Sequence, residues 1–140
     1  MKTLFAAKNQ NFYGSMALLA LRVVMGLAFM FHGWSKIQAP FGWMGPDSSV
    51  PGILQALAAL SEFGGGLALI VGFLTPLVML GLIGTMAGAA YLHAIVKGDP
   101  FVGFSGSYEL ALLYLVICLN FLTQGPGGFS LDRILFGRKS

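Results

Sequence analysis

The sequence predicts an all-α membrane protein, a bundle of four transmembrane helices with a short C-terminal interfacial helix. Three observations predict it: the balance of apolar to charged residues, four apolar runs of membrane-crossing length, and the turn residues between them. Of 140 residues, 56% are hydrophobic and 9% charged, where soluble domains carry about 25% charged residues. So short a chain leaves much of its surface exposed, and lipid is the solvent in which that surface is stable. The length allows a single domain, residues 1–140, with no separate catalytic module.

The runs span approximately residues 14–34, 52–74, 76–96 and 107–123, near the roughly 20 helical residues that cross ~30 Å of hydrocarbon. The second and third are joined only by Leu74-Thr75-Pro76. Proline suits the first turn of a helix, where its missing N–H costs nothing, so these two spans are antiparallel neighbours. The first connection carries Pro40, Gly42, Gly45 and Pro46, and the last, Lys97–Gly106, is polar and glycine-containing. After Leu122, Gly125-Pro126-Gly127-Gly128 stops the fourth helix. Ser130 then caps a short segment, Leu131–Phe136, expected along the interface. Met1–Gln10 does not read as a signal peptide, because its apolar stretch Leu4–Ala7 is too short.

The net charge is +3, but the basic residues are scattered rather than gathered into a nucleic-acid surface. They read as topology: Lys2, Lys8, Arg133, Arg138 and Lys139 lie toward the ends, and Lys36 and Lys97 in the first and third connections. Five against two places both termini in the cytoplasm, with Trp34 and Trp43 near the outer interface. The single cysteine, Cys118, excludes a disulfide within the chain and dithiol chemistry, and reads as a small buried hydrophobe. Gly84 and Gly88 have GxxxG spacing, read as packing within the bundle ahead of assembly into a homodimer.

Five ionisable residues lie in or near the spans: Arg22, His32, Glu62, His93 and Glu109. At ~2.5–3.5 kcal/mol or more each at the membrane centre, they need a reason. Depth counted at ~1.5 Å per residue brings Arg22 and Glu62 to similar levels, which suggests a buried Arg22–Glu62 ion pair. Glu62 is also a candidate proton-handling or ligand-binding carboxylate, with Gly65 and Gly66 on its face leaving space for a helix or a head group. His32, His93 and Glu109 end or begin spans on the outer side, and Lys36 shares the face of His32 if the helix continues. Such a group can shuttle protons, hydrogen-bond a quinone carbonyl or bind a metal. Metal is the least supported, since no HxxxH-type motif is present.

Four stretches together resemble the DoxX family: Arg22–Phe29 leading to His32-Gly33-Trp34-Ser35-Lys36, then Glu62-Phe63-Gly64-Gly65-Gly66-Leu67 with Gly72, then Tyr108-Glu109-Leu110-Ala111, then Gly125–Asp132. The resemblance covers residues 14–136. It implies a four-helix protein of the bacterial inner membrane, linked to quinone-dependent redox assemblies. The implied role is a quinone-interacting or anchoring subunit of a membrane oxidoreductase, with another membrane or redox protein supplying the chemistry this chain lacks. A small proton-coupled exporter using Glu62, which would need to dimerise, and a non-catalytic assembly partner are the competing readings.

Overall fold

A computed structural model of the chain describes residues 10–137. Lys2, Lys8, Arg138 and Lys139 of the charge count lie outside the described residues, as does most of the stretch weighed as a signal peptide. Among the described residues, five α-helices occur in the order α1 (Phe12–Gln38), α2 (Gly52–Val71), α3 (Thr75–Tyr91), α4 (Glu109–Gln124) and α5 (Leu131–Phe136). A π-helical turn, Leu92–Val96, continues α3. Asn11 caps α1, its side chain accepting from the Gly14 amide.

Each long helix turns one seam inward, at alternating steps of three and four residues, the period of left-handed bundles. On α1 the seam is Arg22, Met25, Phe29, His32 and Lys36, and on α2 it is Gln55, Ala59, Glu62, Gly66 and Leu69. Met79, Leu82, Met86, Ala89 and His93 continue it on α3, and Ala111, Tyr114, Cys118 and Phe121 on α4. The apolar part forms the core: Met25, Phe29, Leu69, Met79, Leu82, Met86, Cys118 and Phe121. The outward faces carry exposed Val24, Phe31, Leu57, Leu67, Leu80, Leu113 and Val116, the surface a lipid solvent favours. Three helical segments, including Thr75–Val96, are long and apolar enough to cross a membrane. The fourth, α4, is a shorter apolar helix of 16 residues, about 24 Å long. The chain is a multi-pass helical membrane protein.

The helices pack in chain order, α1 on α2, α2 on α3 and α3 on α4. Glycines make the first contact close: a Cβ at Gly66 would lie 2.7 Å from the Gly26 carbonyl oxygen, and one at Gly33 would lie 2.6 Å from the Phe63 amide nitrogen. Thus Gly65 and Gly66 leave no space for a ligand; helices fill it. Gly84 and Gly88 differ from the expectation of packing within the bundle, since a Cβ at either would meet nothing within 4 Å. Their face of α3 points away from the other helices.

The α2–α3 turn lies at the same end of the bundle as the described chain termini. Gly72 ends α2 in the left-handed conformation, and Leu74 also has positive φ. Asp132 secures this turn, accepting from the backbone amides of Leu74 and Thr75 at 2.7 and 2.8 Å. Ser130 caps α5, accepting from the Arg133 amide at 3.2 Å, and Ile134 and Leu135 of α5 are exposed. This is the terminal end; the α1–α2 and α3–α4 connections form the loop end.

Candidate functional site

The expected Arg22–Glu62 pair does not form. Arg22 lies at the terminal end, where it donates to the Phe129 carbonyl and packs under Gly72 and Ser130. Glu62 is paired with Lys36 instead, whose Nζ lies 2.7 and 2.6 Å from the two carboxylate oxygens. The reason is register. Gly26 meets Gly66 and Gly33 meets Glu62 and Phe63, so successive turns of α1 descend past successive turns of α2. Lys36 falls level with Glu62, and Arg22 with the far end of α2. The helix also runs through Gln38 rather than ending near residue 34, which keeps Lys36 on the inner face.

Glu62 is 2% exposed, so its charge is held by this partner rather than by water. Lys36 is held in turn from above, with Nζ 4.6 Å from the centre of the Trp43 ring. Trp43 is fixed by its own indole N–H, which donates to the Gln55 carbonyl at 3.0 Å. The buried Gln55 side chain accepts from the Met44 amide and donates to the Val50 carbonyl. One glutamine at the start of α2 therefore shapes the α1–α2 loop that covers the ion pair.

On α3, His93 sits in the π-helical turn, a local widening that recurs at functional sites. Its Nδ1 lies 2.6 Å from Asp99 Oδ2, which orients the ring and leaves Nε2 as the nitrogen available to a ligand. Asp99 is not among the sequence-predicted residues, since it lies in a loop beyond the span.

These groups surround a cavity of about 310 Å³ between the four helices at the loop end. Its walls include His32, Lys36, Glu62 and His93, with Ser107 and Ala111 from the α4 side. Phe29 and Tyr114, rings 4.9 Å apart, lie one to two turns deeper and form its floor. The volume is at the low end of ligand pockets, ~300–1,000 Å³. The cavity thus unites four residues that sequence reasoning had divided between an ion pair and an outer group.

Glu109 is excluded. It is exposed and does not line the cavity. With Ser107 and Ala111 facing inward, position 109 is roughly half a helical turn away. It is the first residue of α4, and its backbone amide donates to the Phe101 carbonyl at 3.2 Å.

Comparison with known proteins agrees with this architecture. The sequence profile of the DoxX family matches residues 17–95, which hold Arg22, His32, Lys36, Glu62 and His93. Inner membrane protein YqjF of Escherichia coli is 33% identical over 125 residues, covering 84% of this chain and 91% of its own. An uncharacterized protein of Haemophilus influenzae is 32% identical over 130 residues, 91% of this chain and 97% of its own. A Bacillus subtilis protein named "Putative oxidoreductase CatD" is 27% identical over 135 residues, 94% of this chain and 96% of its own. No solved structure matches. With its four-helix bundle, its glycine-packed first helix pair and a family match over more than half its length, the chain belongs to the DoxX family.

Proposed function

We propose that this chain is a quinone-handling subunit of an oxidoreductase assembly in the bacterial inner membrane. The observation that carries the proposal is the loop-end cavity, where three helices bring His32, Lys36, Glu62 and His93 around one space above an aromatic floor. A quinone head is a planar ring with two carbonyl acceptors. The donor set suits it: the Lys36 ammonium, the His93 ring and His32 can donate to carbonyl oxygens, and Phe29 and Tyr114 offer ring faces. Bound quinone would supply two-electron, two-proton redox chemistry. This chain's part is to hold and orient the head, exclude water, and keep protons at hand on the Lys36–Glu62 and His93–Asp99 pairs. Electrons would pass to or from another subunit, since a single cysteine gives the chain no dithiol of its own. The name of the Bacillus relative accords with a redox role.

The charge count orients the loop end outward and the termini toward the cytoplasm. The exporter reading has less support. Below Phe29 and Tyr114 the core is closed by Met25, Leu69, Met79, Leu82 and Phe121, which offer no polar route across the bundle.

Saturable binding of a short-chain ubiquinone to the detergent-purified protein tests the proposal. His93→Ala is expected to weaken binding about tenfold, the loss of roughly one good hydrogen bond at ~1.4 kcal/mol, while Glu109→Gln leaves it unchanged. No binding by the wild type, or equal losses in both variants, refutes it.

A further inference from the structure

The α1 and α4 walls of the cavity make little contact with each other, and that has a physical cause. Helices packed in chain order leave α1 and α4 as the two edges of the row. In the terminal half of the bundle, large side chains close the seam between them: Phe29 meets Tyr114, and Met25, Cys118 and Phe121 share one core. In the loop half, the α4 side lines the cavity with Ser107, two residues before the helix, and with Leu110 and Ala111, while α1 contributes His32 and Lys36. Ser107 and Ala111 are small, so this half of the seam is filled less than the terminal half. Two cavity-lining residues mark its rim. His32 is exposed on α1, and Leu110 is 46% exposed on α4. Around them the outer surface is apolar, with Phe31 on α1 and Leu113 on α4 both exposed.

We infer that the α1–α4 seam is a lateral portal, and that the ligand is a membrane-borne amphiphile whose polar head reaches the cavity sideways while its tail stays in the bilayer. The inference rests on the quinone reading of the cavity and adds the route and the ligand class. Three features support it. The cavity holds a head group but has no volume for a long isoprenoid chain. Buried Glu62 and partly buried Lys36 and His93 lie inward of a rim where exposed His32 is accompanied by apolar Phe31, Leu110 and Leu113. The opposite approach, from the loops, is covered by Trp43 seated over Lys36 and by the loop that Gln55 fixes.

The test compares two probes, a ubiquinone carrying a long isoprenoid tail and the same ring with none, on the full chain in lipid nanodiscs. Leu110→Trp places an indole across the rim. Val116→Trp is the control, on the same helix, 60% exposed and not part of the cavity. The wild type is expected to bind the tailed probe more tightly. Leu110→Trp should weaken the tailed probe about tenfold more than the tail-less ring, a difference of ~1.4 kcal/mol, while Val116→Trp affects neither. Thermal unfolding of each variant establishes that it folds. If Leu110→Trp weakens both probes equally, or neither, the lateral route is overturned while the quinone site stands. If the wild type binds neither probe, the quinone reading fails and the inference with it.

Discussion

Removing Lys36 separates the two ways of thinking about the buried pair. Lys36→Met keeps the length and apolar stem of the side chain but leaves Glu62, 2% exposed, with no cation. Breaking a buried pair by deleting one partner costs about 3–5 kcal/mol, because the remaining charge is uncompensated. The Lys36 side chain is 22% exposed, so water can reach the vacated site, which argues for the lower end, about 3 kcal/mol. Glu62→Gln is the milder change. Its lysine keeps the Trp43 ring and can extend toward the loop end, so about 1–2 kcal/mol is expected. The double variant removes both charges and should recover to within about 1 kcal/mol of the wild type, since uncharged replacements of a buried pair are often near neutral. Equilibrium unfolding of the four proteins in mixed detergent micelles gives the cycle. A Lys36→Met loss below about 1 kcal/mol, or a double variant as unstable as the sum of the singles, would refute the claim that Glu62 depends on Lys36 for its compensation.

Other perturbations probe the remaining parts. Gly66→Val forces a side chain against the Gly26 carbonyl and the Met30 amide, 2.7 and 2.9 Å from its Cβ; it should cost at least ~1–3 kcal/mol, while Gly84→Leu, with open space around it, leaves unfolding unchanged. A change in sedimentation of Gly84→Leu would instead place a second copy on that face. Asp132→Ala strips two charge-assisted bonds from the start of α3 and should cost about 2–3 kcal/mol in the same unfolding assay, with faster proteolysis at Gly125–Gly128 as the C-terminal segment loosens. Orientation is checked with single cysteines and an impermeant maleimide on intact cells: Gly98→Cys is expected to label and Ile134→Cys is not, and the opposite pattern reverses the topology.

The helices were readable because the bilayer demands long apolar runs, and the turns because Gly and Pro mark them. Ser130 as a cap and Cys118 as a buried hydrophobe followed from local chemistry alone. The charge pairing was not readable from depth, because counting residues from an assumed helix start ignores where two helices touch. A usable signal was present: Gly26 and Gly33, seven apart on α1, and Gly66 on α2 mark the line of closest approach, and that line puts Lys36, not Arg22, beside Glu62. Arg22 finds its acceptor at Phe129, 107 residues away, in a segment that no helical periodicity positions. Asp99 escaped because the π-helical turn shifts the chain after His93, and regular helical spacing gives no reason to join residues six apart. Glu109 was placed by proximity to a helix end, and only the inward seam of α4 shows that it points outward.

The two ends of the bundle are packed differently, and that difference makes a last prediction. At the terminal end, helix α5, the capped α2–α3 turn and the large side chains of α1 and α4 fill the space. At the loop end, His32, Lys36, Glu62 and His93 face small Ser107 and Ala111 across the cavity, an arrangement that packing alone would not favour. Voids cost stability, about 24 cal/mol per Å³ in apolar cores, so a bundle selected only as an anchor would place a larger residue at position 111. Ala111→Leu should therefore raise stability by about 0.5–2 kcal/mol, as cavity-filling changes commonly do, and abolish quinone binding by occupying the head-group space. Thermal unfolding and quinone titration of the same preparation read both effects. Greater stability with unchanged binding would mean that the void is a packing defect and the ligand site lies elsewhere. Lower stability would mean that the space is too constrained to admit even a side chain, and so too small for a ring.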